Sequence, residues 1–281
     1  MLRSVRSRAA VAAAAAAALV PAAANAACRP PARIVSLSPT GTEMLFAIGA
    51  GANVVAVDDQ SNHPRTAPRT KLSGFTPNVE AILKYRPSVV LVQYDANNVV
   101  GGLRAAKVRV VVQPSATNLG RSFAQIRALG ALTCRQRGAA TTVARMRAGL
   151  AAAVKSAPRS TRGATYFHEV DKTPYTATSR TFIGQIYRMF GLRNVADPAD
   201  DGTGYPKLSS EAVIAANPAY IFLADGAYGE SPATVAARPG WGGIAAVKNG
   251  RVTVVNADVA SRWGPRVVVF ARQVAAALRA S

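Results

Sequence analysis

Only two histidines, His63 and His168, occur among the 281 residues, and neither stands in a hydrolytic signature. The chain has no Gly-x-Ser-x-Gly, no His-Glu-x-x-His and no phosphate-binding glycine loop. His168 beside Glu169 pairs a base with an orienting acid, but no nucleophile is placed near them, and a pocket-lining or surface histidine is the plainer reading. The two histidines fit no local metal motif, so no metal site is assigned. The densest chemistry lies in Asp258-Val-Ala-Ser-Arg262-Trp263-Gly-Pro-Arg266, directly after the last apolar run. Two guanidinium forks beside an indole face suit carboxylate, phosphate or amide groups of a ligand. The alternative is a charged helix start with Trp263 packed as an anchor. Arginines at a helix N-terminus oppose its dipole, which favours a ligand or partner role.

A repeated unit positions these residues. Residues 78–92 read Asn-Val-Glu-Ala-Ile-Leu-Lys-Tyr-Arg-Pro-Ser-Val-Val-Leu-Val, and residues 209–223 read Ser-Ser-Glu-Ala-Val-Ile-Ala-Ala-Asn-Pro-Ala-Tyr-Ile-Phe-Leu, with Glu, Ala and Pro in register. Asn78 and Ser209 are good N-caps, and Glu80 and Glu211 stand where a helix dipole favours a carboxylate. Pro87 and Pro218 end each helix before an apolar run of the kind buried on both faces. Helix-strand units are common in α/β proteins, so coincidence stays open. Taken as a true repeat, the unit predicts two lobes with a crevice between them, where ligands usually sit.

Around it the sequence predicts strands at 33–37, 53–57, 108–112, 164–167 and 251–255, and helices at 42–48, 99–106 and 181–190. Thr40 and Glu43 are spaced as a capping box for the first helix. Loops are expected at 58–77, 168–179, 197–207 and 224–241, and a terminal helix with Pro265 in its first turn. Residues 122–157 have helical composition, interrupted by Gly130 and Gly138; a helix followed by a longer one at about 135–157 is predicted. The fold class is α/β: two similar lobes with mainly parallel central sheets, joined by a single long helix, with the ligand cleft between them. The boundaries are a signal peptide at 1–26, an N-terminal lobe at 27–121, a helical connector at 122–160 and a C-terminal lobe at 161–281. A helical connector predicts small lobe motion.

Arg3, Arg6 and Arg8 precede an alanine-rich apolar run and Ala24-Asn25-Ala26, the pattern of an export signal cleaved after Ala26. No stretch is long and apolar enough for a membrane span, so an exported protein of the periplasm or cell surface is expected. In an oxidising compartment Cys28 and Cys134 are most simply one disulfide; a lipid thioether on Cys28 is the competing reading, weakened by Asn25 where such signals carry an aliphatic residue. The net charge of +20 suggests an anionic partner, but dispersed charges, 6% aromatic content and export argue against nucleic acid. Arg outnumbers Lys 27 to 7, read either as coding bias or as attraction for acidic ligands.

Arg33-Ile-Val-Ser-Leu-Ser-Pro-Thr-Gly-Thr-Glu43, the two repeat units, the helical connector and Ser261-Arg-Trp-Gly-Pro-Arg266 resemble the substrate-binding proteins of ABC importers for cobalamin, ferric siderophores and haem. The similarity covers nearly the whole mature chain. It implies two lobes on one rigid helix, no enzymatic activity, a metal chelate between the lobes, and delivery by a monomer to a permease dimer with its ATPase. It places Glu80 and Glu211 as docking carboxylates, which suits a two-fold partner. It places Thr40, His63, Phe75, Tyr94, Tyr175, Asp258, Arg262 and Arg266 on cleft loops, to which Trp263 is added from its chemistry. The cobalamin binders are nearest in the first turn and the closing Arg region; a ferric chelate follows. His63 and Phe75 replace a tyrosine and a tryptophan frequent there. Haem stays open through His63, Tyr94, His168 and Tyr175 as axial ligands, and a secreted enzyme using His168 and Glu169 is the alternative from another class.

Overall fold

The computed structural model describes residues 28–280; the expected signal peptide lies outside them. Two sheets form. In the first, β1 (Ile34–Leu37), β2 (Val54–Val57), β3 (Val89–Val92) and β4 (Arg109–Val112) pair in the order β2-β1-β3-β4, all parallel. In the second, β5 (Thr165–Asp171) pairs parallel with β8 (Tyr220–Leu223), which pairs parallel with β9 (Val252–Val254). On the other edge of β5, β7 (Arg193–Asn194) pairs parallel with its start and β6 (Tyr175–Thr176) antiparallel with its end. The repeat therefore occupies one structural position twice. Helix α2 (Val79–Leu83) feeds β3, held between β1 and β4, as α7 (Ser210–Ala216) feeds β8, held between β5 and β9.

Strand periodicity divides the core into three. Ile34 and Leu91 from the first sheet, and Tyr166, Tyr220 and Phe222 from the second, face one continuous core. It is completed by Met44 and Leu45 of α1 (Pro39–Ala47), by Val143, Met146 and Leu150 of α5 (Gln136–Ser156), and by Phe270 and Val274 of α11 (Val267–Arg279). The alternate residues Val35, Leu37, Val90 and Val92 pack under Ile82 of α2 and Leu103 of α3 (Val99–Ala105). In the second sheet Phe167, Ile221 and Leu223 pack with Val213, Val235 and Trp241.

Between the two sheets run α4 (Leu119–Leu132) and then the 21-residue α5, close to the expected pair of helices. Cys134, at the turn joining them, is bonded to Cys28 with Cα atoms 5.7 Å apart, so the sulfur that a lipid thioether needs is already used.

Three local expectations fail. The first helix is capped by Ser38, whose hydroxyl accepts from Gly41 N, with Pro39 in its opening turn; Glu43 is left free of capping and turns elsewhere. The expected loop at 168–179 is a hairpin, with β5 continuing to Asp171 and returning as β6. The terminal helix forms as α11, but Pro265 falls just ahead of its Arg266 N-cap rather than in its first turn, and a short helix, α10 (Ala257–Ser261), precedes it.

Candidate functional site

The strands of the first sheet end, at their C-terminal edge, in loops that meet α10 and the segment after it. Leu37 at the end of β1 and Thr40 after it, Asp58, Gln60 and Phe75 after β2, and Gln93 and Tyr94 after β3 enclose a pocket of about 300 Å³ with Asp258, Ser261, Arg262 and Trp263. Of the residues expected on cleft loops, Thr40, Phe75, Tyr94, Asp258, Arg262 and Trp263 thus come together. His63 and Arg266 line an adjoining recess with Asn62, Arg65 and Arg69, which shares only Asp258 with the first. Tyr175 lines neither; it lies on β6 under the Lys207 ammonium, 5.8 Å from the ring centroid.

The arginines are not the free forks the sequence suggests. Arg262 is 8% exposed and spends its guanidinium on Glu43 Oε1 (3.0 Å), Asn62 Oδ1 (2.8 Å), the Gln60 carbonyl (3.0 Å) and Asp258 Oδ1 (2.9 Å). Arg266 donates to the same Glu43 oxygen at 2.5 Å. The Glu43 carboxylate is buried in α1, so this is where its side chain goes in place of a capping role. Asn62 Nδ2 donates to Asp258 Oδ2 at 2.7 Å, closing the cluster. Trp263 is buried and packed as an anchor, its indole N–H on Gln125 Oε1 at 2.7 Å and its carbonyl accepting from the Ser122 hydroxyl. These contacts span the junction between the two sheets, as does Gln185 Nε2 donating to the Thr117 carbonyl.

What remains unspent in the pocket is largely acceptor. Asp58 is buried with Oδ1 unpartnered, and burial pushes its carboxyl up to about 6 against the opposing hydrogen bond of Ser61. Gly74 lets the loop backbone close over it: a Cβ there would lie 2.9 Å from Asp58 Oδ2 and 2.8 Å from the Leu37 carbonyl. In the neighbouring recess burial and the Arg266 charge lower the His63 imidazole, so it stays neutral at pH 7.

Five aromatic side chains are exposed among the described residues: Phe75, Tyr94, Tyr175, Tyr205 and Tyr228. Phe75 and Tyr94 follow strands of the first sheet; in the second, Tyr175 lies on β6 beside the end of β5, and Tyr205 and Tyr228 lie in loops after β7 and β8. Sequence reasoning missed Tyr205 and Tyr228, although both stand in loops it had marked. Tyr205 keeps 47% exposure, and desolvation raises its phenol.

His168 and Glu169 are not assembled as a dyad. As neighbours on β5 they point to opposite faces. His168 is buried with Nδ1 on Tyr187 Oη at 2.8 Å, and burial lowers it to about 3. Glu169 is buried and held by both guanidinium nitrogens of Arg238 at 2.6 Å, a cation shared with Glu230 at 2.7 Å. With His168 in the core, it also leaves the set of axial haem ligands. No group of three or more His, Cys, Asp or Glu able to hold a metal ion occurs among the described residues.

Glu80 and Glu211 are exposed in the first turns of α2 and α7, where Asn78 Oδ1 accepts from Ala81 N (2.8 Å) and Ser209 Oγ from Ala212 N (3.1 Å). Neither carboxylate forms an ion pair among the described residues. Hydrogen bonds from its own backbone N–H and from Ser209 hold the Glu211 carboxyl below its usual range.

Two sheets of like topology, a helix running between them and a crevice at their strand ends define a two-lobed ligand-binding protein. The family profile for periplasmic binding proteins matches residues 34–259, and the chain belongs to that family. It is 31% identical over 248 residues to a cobalamin-binding protein of Halobacterium salinarum, covering 85% of this chain and 67% of the relative. Among solved structures it resembles a periplasmic solute-binding protein of Staphylococcus epidermidis, with a TM-score of 0.79 and 26% identity over 89% of this chain and 99% of the other. A periplasmic vitamin B12 binding protein of Vibrio cholerae matches with a TM-score of 0.73 and 25% identity, over 89% and 98% of the two chains.

Proposed function

We propose that this protein is the substrate-binding component of an ABC importer, exported and acting as a monomer, which captures a metal chelate in the crevice and delivers it to a permease dimer with its ATPase. Export and transport rest on family membership and on the relatives' names. The observation that carries the ligand class is the balance of the pocket. Its one arginine is committed to Glu43, Asn62 and Asp258, while the buried Asp58 Oδ1 and the exposed rings of Phe75 and Tyr94 stay available. Aromatic faces bury a flat macrocycle, and a buried carboxylate oxygen rewards an amide N–H donor and penalises a second carboxylate. That favours a corrinoid over an anionic ferric siderophore. Haem is the second reading, supported by the exposed phenol of Tyr94 on the pocket wall.

Glu80 and Glu211, equivalent in the two lobes, are the proposed contacts to the permease. The ligand reading is tested by titrating the mature protein with cobalamin, a ferric siderophore and haem. Fluorescence of Trp263, which lines the pocket, is the reporter, corrected for ligand absorption. Saturable quenching at micromolar or lower cobalamin is expected. Preferential binding of the siderophore overturns the corrinoid assignment, and no binding of any chelate overturns the importer reading.

A further inference from the structure

Residues 96–168 hold twelve Lys and Arg and not one Asp or Glu; all fourteen carboxylate side chains of the chain lie outside this stretch. A coding preference for arginine explains the choice of Arg over Lys. It does not explain the missing acids. All twelve basic side chains are exposed, and none forms an ion pair with a carboxylate among the described residues.

Helix periodicity puts five of them on the outer faces of α4 and α5. Val143, Met146 and Leu150 fix the inner face of α5, so Arg137, Arg145 and Lys155 point outward at helical spacing, with Ala and Thr exposed between them and Arg147 at the edge, over the Phe123 ring of α4. Arg121 and Arg127 stand on the exposed face of α4, which packs on α5. Helix α4 starts beyond the C-terminal end of β4 and runs about 20 Å away from it, at 1.5 Å per residue. The carboxylates Asp58, Glu80, Glu211, Asp225 and Asp258 cluster instead at the strand C-terminal ends. Cys28, through its bond to Cys134, brings the start of the described chain to the basic side as well.

We propose that the outer face of α4 and α5 is an adsorption surface for an anionic lipid bilayer. A smooth pair of helices with basic side chains and small residues between them meets a plane of headgroups without needing a groove. No aromatic side chain is exposed between residues 96 and 168, so the face has no platform for stacking bases and no wedge to insert into acyl chains. Adsorption is therefore electrostatic, reversible and steeply sensitive to salt. It leaves Glu80, Glu211 and the crevice uncovered, and it holds whichever chelate the crevice binds.

The test is co-sedimentation of the mature, disulfide-intact protein with phosphatidylcholine vesicles, with and without about 30% phosphatidylglycerol. Three proteins are compared: the wild type, the triple variant R137E/R145E/K155E, and the triple variant K71E/R193E/K248E, which makes the same change in net charge at exposed positions elsewhere. Thermal melts confirm that both variants fold. Expected are binding only to the anionic vesicles, release at about 0.5 M salt, a loss of about tenfold or more in the α5 variant, and less than about twofold in the other. Equal losses in both variants would mean that net charge alone drives adsorption and overturn the assignment of this face. Failure of the wild type to bind anionic vesicles, or equal binding to neutral ones, overturns it outright.

Discussion

Arg262 Nη1 lies 3.0 Å from Glu43 Oε1, joining the helix after the first strand to the segment after the last one across 219 residues of chain. Both side chains are nearly buried, and Arg266 leans on the same oxygen. Removing the acid strands cations in a low-dielectric junction, which costs far more than losing a surface pair. Glu43→Ala is expected to lower unfolding stability by about 3 to 5 kcal/mol in urea titration. Glu80→Ala, at an exposed site, should stay within about 0.5 kcal/mol. Equal midpoints for the two variants would show that the junction does not depend on this pair.

The exposed aromatics should carry affinity without carrying stability. Phe75→Ala, Tyr94→Ala and Tyr228→Ala are each expected to weaken chelate binding by about 1 to 2 kcal/mol, roughly 5- to 30-fold in Kd, as a stacking face is lost. Melting temperatures should barely move, because these rings make little of the core. The check is a parallel set of titrations and thermal scans.

Charge reversal of Glu80 and Glu211 should separate capture from delivery. With both changed to Arg, ligand Kd is expected to stay within about twofold, since the side chains are exposed and line no described pocket around the crevice. Stimulation of the permease ATPase in proteoliposomes should vanish. Retained stimulation would remove these residues from the docking surface.

Asp225 makes a pH prediction. It is 2% exposed with both oxygens unpartnered; burial first, and then the charge of Glu169, push its carboxyl up to about 7 from 3.8. A folded state that holds its proton above the unfolded value gains stability that is fully present below pH 3.8 and lost as pH rises through about 7. Asp225→Asn should match the wild type near pH 4 and exceed its melting temperature at pH 8. Asp58, raised to about 6, acts in the same direction, whereas His168, lowered to about 3, contributes stability that is lost as pH falls below 6.5. Melts of the wild type and the Asn variant between pH 4 and 8 measure the difference.

The repeat was the most legible part of the chain. Residues 89–92 and 220–223 are strands at the expected bounds, because a short wholly apolar run after a proline has few other places to go. His168 and Glu169 were misplaced in a loop because a polar pair looks like the end of a strand; their burial depends on Tyr187 and Arg238, which no local pattern connects to them. The destination of Arg262 was hidden for the same reason. Its type and spacing suggested a ligand contact, but the acid that occupies it sits on the first helix, where Thr40 offered a local explanation that Ser38 then displaced. Tyr205 and Tyr228 carried no signal beyond being aromatic in a loop.

The continuous core through α5 and the bonds from Glu43, Gln125 and Thr117 leave the jaws of this molecule bolted at the joint. A trap that snaps shut announces its catch by its own change of outline. On the delivery role proposed above, jaws held fixed in this way would give a receiver no such gesture, and the cargo at the mouth would be left as the signal.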